Sequence, residues 1–108
     1  MEQSTEDLGY KSVLGWGNRG WLEIIDMMVS VCERGALKTH IMYKCNLNSK
    51  QVQQYLDFVV NRKLVSAAQD PDDPKRTLYT TTERGRTLMR AYDELAEIFS
   101  FRNVALEA

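Results

Sequence analysis

The sequence predicts a mainly helical α+β domain in which three helices are followed by a two-stranded hairpin and a long last helix. Three observations lead there. Apolar residues recur at spacings of three and four over residues 22–32 and again over 52–59. Two short runs, "LVSAAQ" and "TLYTT", flank "DPDDPKR", where two prolines and three aspartates favour a turn between strands. Beyond residue 82 the apolar spacing becomes four, three and four, a coiled-coil-like seam about two heptads long. At 108 residues and 44% hydrophobic content the chain supports one modest core, and a second independent domain is not expected.

Residues 1–18 mix polar residues with Leu8, Tyr10, Val13, Leu14 and Trp16 without sustained periodicity, which predicts a flexible arm. From Trp21 onward Leu22, Ile25, Met28, Val29 and Cys32 share one face opposite Glu23, Asp26, Ser30 and Glu33, and Gly35 stops this first helix. Thr39 is the expected cap of a short second helix that turns Ile41, Met42 and Cys45 inward, with Asn46 suited to a left-handed exit and Leu47 plugging the turn. Asn48 and Gln51 have the spacing of a capping box at the start of a third helix, whose inner stripe is Val52, Tyr55, Leu56 and Val59. Its other face is Lys50, Gln53, Gln54, Asp57 and Asn61. The hairpin follows, and Thr82 is placed to cap the last helix, on which Leu88, Tyr92, Leu95 and Phe99 form the seam.

This order is that of a winged helix-turn-helix domain over residues 19–81, followed by a dimerisation helix and tail over 82–108. The segments "THIMYKCNLNSKQVQQYLDFVVNRKLV" and "YTTTERG" resemble the small archaeal winged-helix DNA-binding proteins and transcriptional regulators, and the likeness covers roughly residues 20 to 95. The resemblance implies that the third helix enters the major groove of double-stranded DNA, that the hairpin wing approaches the backbone, and that the last helix pairs with its twin in an antiparallel coiled coil. Carried onto this sequence, it makes Ser49, Lys50, Gln53 and Gln54 the groove-facing set, with Thr39 and Lys44 on the preceding helix. Lysine neutralises phosphate and glutamine can bond adenine bidentately, so the residue types suit that role.

Net charge is −1, but it is unevenly distributed. Residues 1–18 carry one lysine against three acids, residues 19–90 twelve cations against eight acids, and residues 91–108 one arginine against four acids. A basic middle between acidic ends suits a local nucleic-acid surface better than chromatin packaging. On the wing, Lys75 and Arg76 are the expected phosphate contacts, while Asp70, Asp72 and Asp73 should point away. The stripe Leu88, Tyr92, Leu95 and Phe99 is the expected homodimer surface, and beyond Tyr92 it should need a second chain to cover it. The alternative is that the last helix folds back onto the first.

Other chemistries fit less well. "GWGNRG" at residues 15–20 matches a dinucleotide-binding glycine pattern, but no second buried strand follows the first helix. His40 has no nucleophile motif beside it, and Asp72 and Asp73 lie in a proline-bounded turn, so no enzyme is predicted. Cys32, His40 and Cys45 lack metal-site spacing, so the thiols are expected as free core residues and neither metal nor cofactor is predicted. No apolar run approaches membrane-spanning length, and a cytoplasmic protein is expected. A small-molecule effector stays open, since a pocket at a helix junction leaves no compact motif. The second function class is a protein-interaction module, an adaptor or antirepressor whose acidic hairpin docks on a basic partner.

Overall fold

The computed structural model describes residues 20–99, so the arm expected over residues 1–18 lies outside the described residues. Helix α1 (Trp21–Val31) runs into a single 3-10 turn (Cys32–Arg34) and stops at Gly35, whose φ of 87° is strained for any side chain. Strand β1 (Ala36–Leu37) leads directly into α2 (Lys38–Lys44), and α3 (Ser49–Asn61) follows after a tight turn. Strands β2 (Val65–Asp70) and β3 (Asp73–Thr81) form the hairpin, and α4 (Glu83–Phe99) closes the described chain.

The core is the meeting point of α1, α2, α3 and the base of the hairpin. Ile25, Met28, Val29 and Cys32 bury against Ile41, Cys45, Val52, Leu56, Val59 and Val65, each no more than 2% exposed. Ile24 joins them, whereas Leu22 is only half-buried, because the first helix presents a wider face than its strict three-and-four spacing suggests. Both cysteines are buried thiols, and they form no disulfide with each other. Burial, helped by Cys45 nearby, pushes the Cys32 thiol up to about 12, so it behaves as a small apolar side chain.

Three expectations are revised. Thr39 does not cap α2: the helix begins two residues earlier than that cap would place it, at Lys38, with Leu37 at its cap and no side-chain bond there. Leu37 pairs with Leu78, so the sheet itself delivers the backbone into the helix. That short β1 makes the sheet three-stranded, in the order β1-β3-β2, instead of a two-stranded hairpin. A two-residue strand carries no alternation from which it could be read. Strand β3 also starts at Asp73, inside the segment assigned to the turn, which shrinks to Pro71 and Asp72. The Asp70 carboxylate accepts the backbone N–H of Asp72 at 3.1 Å and Arg76 Nη2 at 3.0 Å, tightening the reversal. Pro74 is tolerated there because β1 pairs only further along, at Leu78 and Tyr79.

The last helix is fastened to the end of α3. Thr82 caps it as expected, its Oγ1 accepting from the backbone N–H of Gly85 at 3.1 Å while donating to Lys63 O at 2.7 Å. Arg84 Nε donates to Arg62 O at 2.9 Å. Gly85 is required by proximity: a Cβ there would lie 2.3 Å from Leu64 O. Beside it, the buried Thr81 hydroxyl donates to Val29 O. From this anchor α4 runs against α1, with Leu88 and Met89 packed on the core, Ala96 2% exposed, and Tyr92 and Leu95 half-buried. Cover by the chain itself therefore extends past Tyr92, further than the seam pattern predicts, because α1 provides an apolar surface alongside. Ile98 and Phe99, 74% and 48% exposed, stay outside.

Candidate nucleic-acid interface

The polar side of α3 is the best-defined candidate surface, and its geometry starts from its cap. Asn48 Oδ1 accepts the backbone N–H of Gln51 at 2.8 Å, and Gln51 Oε1 accepts that of Asn48 at 2.9 Å, the reciprocal pair its sequence spacing predicts. Asn46 takes the left-handed conformation, with φ 55°, and buried Leu47 donates its N–H to Met42 O at 2.9 Å. The angle between α2 and α3 is thus set by backbone bonds and one apolar plug.

Along α3, Lys50, Gln53, Gln54, Asp57 and Asn61 are all exposed and fall within an arc of about 100° at 3.6 residues per turn. Ser49 is exposed at the first turn, on the flank of Gln53. Asp57 and Lys50 lie near the centre of the arc, while the two glutamines diverge to opposite edges. Gln53 turns toward α2 and the sheet: its Oε1 accepts from Lys38 Nζ at 2.6 Å and its Nε2 donates to Asp57 Oδ1 at 2.9 Å. Gln54 borders a different groove, between α3 and α1, lined also by Trp21, Ile25, Tyr55 and Phe58.

On the Gln53 side a polar cleft of about 570 Å³ opens between α2, α3 and β3, lined by Lys38, Thr39, Gln53, Arg76, Thr77 and Tyr79 among others. Lys38, which the sequence reading passed over, therefore joins Thr39 and Gln53 at one place. As one of 14 cations it carries no pattern of its own, and only its approach to Gln53 marks it out. The Tyr79 hydroxyl is pushed up from its usual range by burial first, then by Asp57 and Cys32, so it stays a neutral donor at the foot of this cleft. Lys44 is exposed at the end of α2 beside Tyr43, which is 84% exposed.

The two wing cations differ in state. Arg76 is held by Asp70 at 3.0 Å and by Asp73 at 3.6 Å, whereas Lys75 is exposed and only its backbone N–H is bonded, to Asp73 Oδ1 at 3.1 Å. Asp70 does turn inward, being 6% exposed. Far from this surface, between α1 and α4, burial followed by Asp93 and Glu23 pushes the Asp26 carboxyl up to about 6. His40 is exposed. Among the described residues no group of three or more His, Cys, Asp or Glu side chains is placed to hold a metal ion, and no helix is long and apolar enough to cross a membrane.

Comparison with known proteins bears on the same region. A family model described as winged helix-turn-helix matches residues 18–100. The crystal structure of Sso10a-2, a DNA-binding protein from Sulfolobus solfataricus, is similar at 28% identity and a TM-score of 0.67, covering 76% of this chain and 83% of its own. The transcriptional regulator BldR, also from Sulfolobus solfataricus, is similar in fold at 13% identity and a TM-score of 0.68, covering 78% of this chain and 62% of its own. The PcaV transcriptional regulator from Streptomyces coelicolor, solved with its natural ligand, reaches a TM-score of 0.69 at 16% identity, over 95% of this chain and 73% of its own. No curated protein matches the sequence.

Proposed function

The chain belongs to the winged helix-turn-helix family, and from that premise we propose that it binds double-stranded DNA sequence-specifically and regulates transcription, with α3 in the major groove. The observation that carries this reading is the exposed polar arc of α3, presented by a capping box on one side of a helix whose opposite side is sealed into the core. Such a helix fits the width of the major groove, and the arc offers both a phosphate neutraliser and a base reader. In this reading Lys50 and Lys44 meet phosphates, Gln54 faces base edges, and Ser49, Gln53 and Thr39 line the edge where Lys38 approaches the backbone. On the wing, Lys75 is the ready phosphate contact, while Arg76 must exchange its carboxylate partners for phosphate or stay as the brace of the turn. The similarity to a DNA-binding protein at 28% identity supports the same reading.

The chain acts in this reading as a homodimer joined through α4, whose Leu88, Tyr92, Leu95 and Phe99 lie along one stripe and whose end exposes Ile98 and Phe99. It works as a cytoplasmic regulator and performs no catalysis. An isologous pair would set two α3 helices at a fixed spacing, one per half-site.

One observation favours the protein-interaction reading: Asp57 stands at the centre of the polar arc, and Asp72 is exposed at the wing tip, where both repel phosphate. A salt titration of binding to random and selected DNA separates the two. A linear fall of log affinity with log salt, together with tighter binding by Asp57→Asn and Asp72→Asn, upholds the DNA reading. Absence of binding at low salt by wild type and both variants overturns it in favour of the adaptor.

A further inference from the structure

We propose that the apolar groove between α1 and α3 is the seat of the chain's own N-terminal arm, with Trp16 as the side chain that fills it. The groove has a volume of about 400 Å³ and is lined by Trp21, Ile25, Tyr55 and Phe58, with Gln54 at its rim. Three aromatic rings in one surface groove form an apolar site of the size an aromatic side chain occupies, and leaving it in water forgoes that burial. The function assigned to α3 uses its polar arc, which meets this groove only at Gln54.

The position and content of the remaining chain select the occupant. Nineteen residues precede Gly20, and they join the described chain one residue before Trp21, itself part of the groove. Trp16 is five residues from Trp21, a reach of about 17 Å when extended, against the roughly 8–10 Å that separates packed helices. Gly17 lies between them, where a reversal of direction meets no Cβ. The arm is apolar in step with the site, carrying Leu8, Tyr10, Val13 and Leu14 as well as Trp16. Over residues 1–19 it carries three acids, Glu2, Glu6 and Asp7, against Lys11 and Arg19, a net negative charge that suits the guanidinium of Arg62, which lies 4.4 Å over the Phe58 ring. Tethering so close to the site favours the chain's own arm over that of another copy, because a short linker supplies an effective concentration on the order of millimolar.

A seated arm lies along the flank of α3 that carries Gln54 and narrows what that edge of the polar arc can touch. The docking itself does not depend on what α3 binds. Its test therefore uses the full chain without any nucleic acid. In Trp21→Phe, Trp16 is the sole tryptophan; its emission should be blue-shifted and its quenching by acrylamide several-fold weaker than in a peptide of residues 1–19. In the unaltered chain, Trp16 indole protons should show nuclear Overhauser contacts to the Tyr55 and Phe58 rings. Trp16→Ser, which leaves the described core intact, should shift backbone amide resonances chiefly around the groove. Emission and quenching equal to those of the peptide, with no Trp16 contacts in the unaltered chain, would overturn the proposal. So would isotope-filtered contacts placing Trp16 in the groove of a second copy.

Discussion

Lys38 Nζ lies 2.6 Å from Gln53 Oε1, so the amide that could read a base at this edge of α3 is already engaged with a cation from the preceding helix. The other end of the same amide is committed to Asp57. Adjacent glutamines in the sequence thus receive different environments. Gln53 links α2 to the centre of the polar arc, and Gln54 points away from that network.

Gln54→Ala should lose about 1–3 kcal/mol of specific DNA affinity and leave non-specific binding nearly intact, as expected for one bidentate base contact. Lys38→Ala and Lys50→Ala should weaken binding to all sequences and each lower the slope of log affinity against log salt by about one. Gln53→Ala should resemble the Lys38 variant more than the Gln54 variant. Titrations of a selected operator and of random DNA at several salt concentrations check this, and equal behaviour of all four variants with wild type would remove α3 and its edge from the interface.

Asp26 should make the fold more stable in mild acid. Its folded carboxyl titrates near 6 because of burial, Asp93 and Glu23, whereas an unfolded aspartate titrates near 3.9. Between those values the folded chain holds more protons than the unfolded one. The stabilising effect of protonation is complete below about pH 4 and is lost as pH rises through 6. Asp26→Asn should raise stability at neutral pH by on the order of 1 kcal/mol, after allowance for solvent screening of a half-exposed group, and should flatten the difference between about pH 5 and pH 7.5. Urea midpoints of the two proteins at both pH values measure it, and parallel pH profiles would show that Asp26 does not titrate in this range.

Gly85→Ala should destabilise by about 1–3 kcal/mol, the usual range for overpacking a fitted site. Its new methyl would meet the Leu64 carbonyl and the Thr81 side chain, both backed by the core. The compensation is to lift α4 away from the end of α3, so the bond from Arg84 Nε to Arg62 O should weaken with it. An unchanged denaturation midpoint would show that the contact yields at little cost.

Phe99→Asp and Ile98→Asp should convert the expected dimer to a monomer without loss of helix content, because both side chains are largely exposed on the single chain. Leu95→Asp should also damage the chain's own packing, since Leu95 is half-buried. Light scattering at tens of micromolar, on the order of usual assay concentrations, decides the point, and a monomeric wild type would remove the two-fold arrangement.

Local rules were enough to read much of this molecule from its residues. The capping box of Asn48 and Gln51, the left-handed Asn46, the plug Leu47, the stop at Gly35 and the cap Thr82 each depend on groups within a few positions, so the sequence carries them whole. The apolar stripes likewise determined which sides of α1 and α3 face inward, and with the turn between the two strands they determined the winged order of elements. Tertiary structure decided what depends on residues far apart in the chain. It supplied β1, whose two residues become a strand only by pairing with Leu78 and Tyr79. It made Leu37 the cap of α2 in place of Thr39, set α4 against α1, and brought Lys38 to Gln53 across 15 positions. Periodicity records which face of an element is apolar, but the identity of the neighbour across that face follows from packing the elements together, and what each of the two glutamines meets at its own edge of α3 is decided there.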